Sequence, residues 1–171
     1  LGALDSDILL GLEWVYQHAE KYKIAAVNMS LGGGYYQQTC NDSPIAALID
    51  KLREKNVISV IASGNDARKD GVASPACIEN AISVGSLEPD QGISHFSNSY
   101  QHLDLVAPGG KITSSSINGQ FTSSSGTSMA APHVAGAIAV LRSAYPNASI
   151  EQLTNALKQG ANFRDPRNNV V

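Results

Sequence analysis

Apolar residues recur along this chain at two spacings, and each spacing predicts a different kind of element. Positions three or four residues apart predict amphipathic helices at about 7–22, 43–52, 128–145 and 149–160. Short apolar runs rich in β-branched residues predict buried strands at about 24–30, 57–63, 81–86 and 103–107. A serine-rich stretch at 112–124 has the character of a hairpin.

The predicted helices carry start and stop signals. The acidic and hydroxyl side chains at 5–7 offer capping oxygens to the first helix. Ser43 can cap the second helix, and Pro44 at its first position loses no helical hydrogen bond. A capping box over 149–152 starts the last helix, which Gly160 is expected to end.

Helices that alternate with apolar strands predict a three-layer α/β fold, with a mainly parallel sheet covered by helices on both faces. The chain has no repeat and no linker, so we interpret it as one domain or part of one. Functional groups of such sheets gather at the carboxyl ends of the strands. The segments 30–34 and 62–66, rich in Gly and bearing Asn65, are expected there.

Composition narrows the possible partners. The chain has 171 residues, 43% of them hydrophobic and 16% charged, which is enough to bury a single core. Its net charge is -3 and no stripe of Lys or Arg is present, so we expect no nucleic-acid partner. No apolar run reaches the roughly 18 residues of a membrane span.

Two cysteines leave two interpretations open. Cys40 and Cys77 are either free buried thiols or one disulfide, and neither has the spacing of a zinc ligand. A bridge closing a loop of this length would stabilise the fold by roughly 4 kcal/mol in the loop-entropy model. It would also indicate an oxidising compartment, so that a secreted or cell-envelope location is expected.

The segment 126–136, Gly-Thr-Ser-Met-Ala-Ala-Pro-His-Val-Ala-Gly, carries the strongest chemical signal. Ser128 lies where a loop becomes a helix, and backbone N–H groups there are free to stabilise arriving negative charge. Its hydroxyl could attack a carbonyl, although a serine at such a position is more often a plain N-cap. The many small residues that follow predict a helix buried in the centre of the domain.

Two other segments bear on Ser128. The amide of Asn65 ends a predicted strand and could donate to an oxyanion, although Gly-Asn is commonly only a turn. The glycines after Ser30 would let an extended peptide lie along the backbone by strand addition, although they could equally form a flexible turn.

Taken together, these motifs closely resemble those of the subtilisin-like serine proteases, the subtilases. Segments 28–33, 62–65, 106–109 and 165–168 match in the family's order, so the resemblance covers essentially the whole chain. It implies that Ser128 is the acylated nucleophile and that Asn65 is the oxyanion donor. It also implies a substrate strand and a wall for the pocket that receives the residue before the cut: Ser30, Leu31 and Gly32 for the strand, and Ala62, Ser63 and Gly64 for the wall.

The resemblance has further implications for the pocket. Segment 74–76 would close it, with Ser74–Pro75 as a candidate cis peptide, and a Cys40–Cys77 bridge would brace its rim. The chemistry needs no cofactor, and a structural calcium ion is possible, with no ligands identifiable in the sequence. Small walls suggest a bulky apolar or aromatic side chain before the cut.

The family's aspartate and histidine motifs do not occur in this sequence. His133 is five residues after Ser128, roughly 140° around the helix, so it cannot serve as the base. We therefore expect 1–171 to be the C-terminal part of one catalytic domain, lacking its N-terminal strands, with the base supplied upstream. The partners would be that upstream part and protein or peptide substrates.

Two alternatives compete with a serine endopeptidase. The first is a subtilase-like module that binds peptide strands without cutting them, because an unassisted serine hydroxyl is a poor nucleophile. The second is an esterase of the α/β-hydrolase type. That fold needs G-x-S-x-G and the order Ser, acid, His, whereas this chain has Gly126-Thr127-Ser128-Met129-Ala130.

Overall fold

A four-stranded parallel sheet forms the centre of the computed structural model, which describes residues 4–159 and 165–167. The strand order is β1-β3-β5-β6, and each neighbouring pair is parallel. The strands of the described chain are β1 (Ala26–Met29), β2 (Gly33–Tyr36), β3 (Ile58–Ala62), β4 (Val72–Ser74), β5 (Ile82–Leu87), β6 (Leu105–Pro108), β7 (Ile112–Ser115) and β8 (Phe121–Ser124).

Helices cover both faces of this sheet, as the sequence predicts. They are α1 (Asp5–Tyr22), α2 (Pro44–Glu54), α3 (Thr127–Ala144) and α4 (Ile150–Gln159). Strand β3 shows why two layers form: Ile58, Val60 and Ala62 pack in the core under α3 and α4. Ile61 points the other way, into the core under α1 and α2. The three-layer α/β class is therefore confirmed.

Two helix starts follow the predicted chemistry and one does not. The Ser43 hydroxyl accepts a hydrogen bond from the N–H of Ala46 at 3.1 Å, and the Ser149–Gln152 box is reciprocal. The predicted cap of α1 is wrong: Leu4 is its N-cap residue, with no side-chain bond. Its acidic residues lie instead in the first turn, where the helix dipole favours them. Gly160 lies outside the described residues.

Strand β1 is less buried than the apolar run 24–30 suggests. Ala26 and Val27 are half-buried and Asn28 is exposed, so only Met29 is buried. The reason is its place in the sheet, because β1 is an edge strand that pairs only with β3 among the described residues.

Two antiparallel pairs flank the parallel sheet. Strands β7 and β8 form the hairpin expected from the serine-rich stretch. Strands β2 and β4 pair as well, which the glycine-rich sequence does not indicate. The Ser74–Pro75 peptide that follows β4 is cis. Cys40 and Cys77 form a disulfide with Cα atoms 5.3 Å apart, which joins the segments after β2 and β4.

Within the described residues helix α3 is buried on one face, so burial in the centre of the complete domain stays a prediction. Ala130, Ala131 and Ile138 are completely buried against the sheet. On the opposite side Val140 is 69% exposed, and nothing lies within 4 Å of where a Cβ on Gly136 would be. No described helix is long and apolar enough to cross a membrane.

Candidate active site

A cleft of about 560 Å³ opens at the carboxyl ends of β1 and β3, where the sheet geometry leads one to expect a site. The predicted substrate segment forms one side of it, and the segment after β3 forms the other. Ser128, at the start of α3, lies on its floor. The sequence-predicted residues that line the cleft are Ser30, Leu31, Gly32, Ala62, Gly64, Asn65 and Ser128.

Ser63 is the exception among those residues. It is completely buried, and its hydroxyl donates to the carbonyl oxygen of Asn98 at 3.0 Å. Successive residues of an extended segment point to opposite sides, so Ala62 and Gly64 face the cleft while Ser63 faces away. The expectation that the Ser63 side chain walls the pocket is therefore wrong.

Ser128 occupies the second position of α3. Gly126 is the N-cap residue, so Ser128 is not the plain cap that its position would otherwise suggest. As a residue of the first turn it has a backbone N–H without an intrahelical acceptor. The hydroxyl and this N–H therefore belong to one residue at the positive end of the helix dipole.

The amide of Asn65 is held in one orientation by the residue before Ser128. Its Oδ1 accepts from the backbone N–H of Thr127 at 2.9 Å and from the Thr127 hydroxyl at 3.0 Å. Thr127 is completely buried, and its Oγ1 also accepts from the N–H of Gly64 at 3.2 Å. Because the amide oxygen is occupied, the Nδ2 group of Asn65 is left to donate into the cleft.

Asn98 supports this segment from behind, and the sequence gives no sign of it. It is buried, and its Oδ1 accepts from the N–H groups of Asp66 and Arg68 at 2.9 and 3.0 Å. Its Nδ2 donates to the carbonyl oxygen of Ser63 at 3.2 Å. A Cβ on Gly64, where φ is +108°, would lie 2.3 Å from this Nδ2. A single buried amide thus fixes the loop that carries Asn65.

On the other side of Ser128 the contacts are with backbone. Its hydroxyl donates to the carbonyl oxygen of Ser30 at 3.4 Å, a long bond. The Ser30 hydroxyl in turn donates to the carbonyl oxygen of Ser128 at 2.7 Å. These bonds hold the start of α3 against the substrate segment, and they contribute no general base.

None of the four histidines, all of them described, is hydrogen-bonded to Ser128. His133 bonds through Nδ1 to the carbonyl oxygen of Met129 at 2.8 Å, as a helix-surface histidine does. His18 bonds to Trp14 in the same way on α1, and His95 and His102 lie in the connection from β5 to β6. Asp104 pairs with Lys158 and bonds Ser83, which is a structural use.

The substrate segment leaves room for an extended peptide. Ser30 and Gly32 are exposed beside the open edge of β1. A Cβ on Gly32 would lie 2.9 Å from the carbonyl oxygen of Ser74 and 3.2 Å from the Cβ of Ala73, so the glycine permits close packing of β2 on β4. Backbone groups at such an edge can bind another strand.

A polar cluster adjoins the cleft through Tyr35, which lines it. Asp70 accepts one hydrogen bond on each carboxylate oxygen, from the Tyr35 hydroxyl at 2.5 Å and from Gln37 Nε2 at 2.6 Å. The bond from Tyr35, and then that from Gln37, hold the pKa of the Asp70 carboxyl below its usual value. The same bond to Asp70 raises the pKa of Tyr35.

Metal ligands are not gathered anywhere in residues 4–159 and 165–167: no group of three or more His, Cys, Asp or Glu side chains could hold an ion. The expected structural calcium stays a prediction, because calcium also binds backbone carbonyl oxygens.

The parallel sheet, the helix-borne serine and the oriented amide beside it are together typical of serine peptidases with a subtilisin-like fold. The chain belongs to the subtilase family, whose model matches residues 4–170.

Relatives agree with this assignment. The chain is 40% identical over 155 residues to an extracellular serine proteinase of Thermus sp. (strain Rt41A), covering 90% of this chain and 36% of that protein. The major intracellular serine protease of Bacillus subtilis (strain 168) is 38% identical over 139 residues, covering 77% of this chain and 42% of that protein. The crystal structure of a cold-adapted subtilisin-like serine proteinase matches with TM-score 0.84 at 32% identity, covering 99% of this chain and 60% of that one. The chain thus spans 36–60% of these relatives.

Proposed function

We propose that the full-length protein is a serine endopeptidase that hydrolyses peptide bonds through an acyl-enzyme on Ser128. The observation that carries the proposal is the oriented amide of Asn65, whose Oδ1 is taken by Thr127 so that its Nδ2 is left to donate. If Ser128 were only a helix cap and Asn65 only a turn residue, the Asn65 amide would not need to be held in one orientation.

The chemistry follows from these groups. The Ser128 hydroxyl oxygen attacks the carbonyl carbon, and the C–N bond breaks as the amine leaves with a proton. The negative oxygen formed in between is stabilised by Asn65 Nδ2 and by the N–H of Ser128. In subtilisin, one such side-chain donor is worth roughly 3–4 kcal/mol. Water then hydrolyses the acyl ester and restores the hydroxyl.

The attack requires a base that takes the proton from Ser128. We propose that the base is a histidine oriented by an aspartate, and that both residues come from outside residues 1–171, from an upstream part of the same catalytic domain. The contacts support the proposal, because the hydroxyl donates only weakly to Ser30 and none of the chain's histidines bonds it. The open edge of β1 adjoins the segment that carries Ser30 and could receive such a part.

Substrates are proposed to be extended protein or peptide segments that pair with residues 30–32. The residue before the cut would enter the space walled by Ala62, Gly64 and Ala73. We further propose a secreted or cell-envelope protein, supported by the Cys40–Cys77 disulfide and by the extracellular Thermus relative. The Bacillus subtilis relative is intracellular by name, so family membership alone does not decide the location.

A second candidate function is peptide binding without cleavage. The observation that favours it is the Ser128 hydroxyl itself, which rests on a backbone carbonyl and has no imidazole partner among the described residues. In that case the cleft would still accept a peptide strand, and Ser128 would be only a structural residue of the helix start.

The test compares the full-length protein with its Ser128→Ala variant on fluorescent peptides in two assays, hydrolysis and binding. The endopeptidase proposal predicts hydrolysis by the wild type and none by Ser128→Ala, with peptide binding retained by the variant. Binding by both proteins with hydrolysis by neither would instead support the binding module. Equal hydrolysis by both proteins would contradict the role of Ser128.

A further inference from the structure

Arg68 is a cation that lines the cleft, where the charge of Asp70 acts on it without forming an ion pair. Its guanidinium carbon lies 4.5 Å from the centre of the Tyr35 ring. The ion pairs found among the described residues do not include Arg68, and no hydrogen bond from its side chain occurs in this part of the chain. Its backbone is engaged on both sides: the N–H donates to Asn98 Oδ1, and the carbonyl oxygen accepts from the N–H of Ser99.

The position of this guanidinium is fixed by its neighbours. Tyr35 supports one face of the group, and Tyr35 is itself held through its hydroxyl by Asp70. The second oxygen of Asp70 accepts from Gln37, and no ion pair joins Asp70 to Arg68 among the described residues. A guanidinium that stacks on a ring keeps its N–H groups directed outward in its own plane.

Such an arrangement has a specific chemistry. In-plane N–H groups match the two oxygens of a carboxylate, and bidentate pairs of this kind are among the stronger polar contacts in proteins. The other charged residue of the cleft, Asp66, accepts from Asn98 Nδ2 at 3.4 Å and adjoins Asn65 in sequence. The two charged side chains therefore have different neighbours. Asp66 accepts a hydrogen bond from Asn98, whereas Arg68 stacks on Tyr35 and its side chain makes no hydrogen bond among the described residues.

We propose that Arg68 is a specificity-determining residue that binds the side-chain carboxylate of an acidic residue in the peptide occupying this cleft. The inference rests on the proposed function, because it deepens the description of the same site. Ala62 and Ala73 line the same cleft and offer small apolar surfaces that would suit the methylene stem of a glutamate. This differs from the bulky apolar preference that the small walls alone suggest.

The experiment measures binding of matched peptides to the full-length Ser128→Ala protein by fluorescence anisotropy. The peptides differ at one position only, with Glu, Gln, Leu or Lys before the bond that would be cut. We expect the Glu peptide to bind about tenfold more tightly than the Gln peptide at low salt, and the difference to shrink as salt screens the exposed pair. Equal affinities for Glu and Gln would overturn the proposal.

Charge reversal supplies the matched variants. Arg68→Glu is expected to abolish the preference for Glu and to favour the Lys peptide. Lys51→Glu makes the same charge change on the exposed surface of α2 and should leave the order of affinities unchanged. Arg68→Gln removes the charge without reversing it, should reversal impair folding. A Glu preference that survives Arg68→Glu or Arg68→Gln in a folded protein would contradict the assignment.

The result separates this inference from the proposed function. Hydrolysis of all peptides by the wild type without a Glu preference would end the inference and leave the peptidase standing. A preference for the Glu peptide in binding, with no hydrolysis by the wild type, would support the role of Arg68 and contradict the peptidase. Binding of no peptide at all would overturn both.

Discussion

The two faces of α3 differ sharply in burial and in hydrogen bonding. The inward face is packed and bonded: Thr127 and Ile138 are completely buried, and Thr127 holds the amide of Asn65. No described residue packs over the outward face. It presents His133, Gly136 and Val140 to solvent. Ser128 lies at the boundary between the two.

The two faces of α3 correspond to two parts of the proposed reaction, stabilisation of the oxyanion and removal of the proton from Ser128. The groups that would stabilise an oxyanion face inward and are already fixed by hydrogen bonds within this chain. The group that would take the proton belongs on the other side, where the Ser128 hydroxyl meets only a backbone carbonyl. One half of the catalytic apparatus is therefore preorganised independently of the other.

The largest expected effect is a loss of unfolding free energy when a side chain on the inward face of α3 is truncated, compared with one on the outward face. Ile138→Ala removes a completely buried side chain under the sheet and is expected to cost about 2–5 kcal/mol of unfolding free energy. Val140→Ala, two residues along on the 69%-exposed side, should change it by less than about 0.5 kcal/mol. Urea denaturation of the full-length variants measures both. Equal losses would mean that the outward face is covered in the full-length protein.

Removal of the oriented amide is the next largest change. Asn65→Ala should lower kcat of the full-length protein by about 10²–10³, with little change in KM, because the lost bond forms only as charge develops. Steady-state hydrolysis of a peptide amide measures both constants. Asn41→Ala, on an exposed surface loop bonded to Glu79, is the control and should leave them unchanged. A rise in KM alone would assign Asn65 to ground-state binding instead.

Removing one hydrogen bond that orients the Asn65 amide should lower kcat less than removing the amide itself. Thr127→Val deletes the hydroxyl that donates to Asn65 and accepts from Gly64, but the backbone bond from Thr127 to Asn65 Oδ1 stays. One neutral hydrogen bond is worth about 1 kcal/mol, so kcat should fall by about fivefold. Thr127→Ser restores the hydroxyl and should recover most of the loss. A loss as large as that of Asn65→Ala would mean that the backbone bond alone cannot hold the amide.

A change on the outward face should have almost no effect. His133→Ala removes an imidazole that bonds only its own helix, at Met129, so kcat and KM should stay within about twofold of the wild type. The pH dependence of kcat is the sharper measurement. Loss of its acidic limb in this variant would make His133 the base, which its position on the helix argues against.

Much of the fold followed from the sequence because periodic apolar segments decide element type. The helices, the four central strands and the hairpin lie close to their predicted ranges. The cap of α1 was wrong because helix starts are set within one or two residues by local backbone geometry. The burial of β1 was overestimated because it depends on which strand pairs beside it, which spacing does not report. The β2–β4 pair was missed because its glycines give no strand signal.

For the candidate site, motif resemblance brought Ser128 and Asn65 together across the chain, and the structure places both in one cleft. It could not identify the residues that hold them. Asn98 and Thr127 act through hydrogen bonds made only in the folded state. Ser63 was misassigned because segment matching does not distinguish the two sides of an extended chain. Arg68 carries no motif, and only its stacking on Tyr35 draws attention to it.

Fluorophosphonate labelling of the full-length protein, followed by mass spectrometry of the labelled peptide, tests most directly whether Ser128 is the nucleophile. We expect one label, on Ser128, absent from the Ser128→Ala variant and much slower to form in Asn65→Ala. A folded full-length protein that takes no label on Ser128 would contradict the nucleophile assignment and leave peptide binding as the function of the cleft.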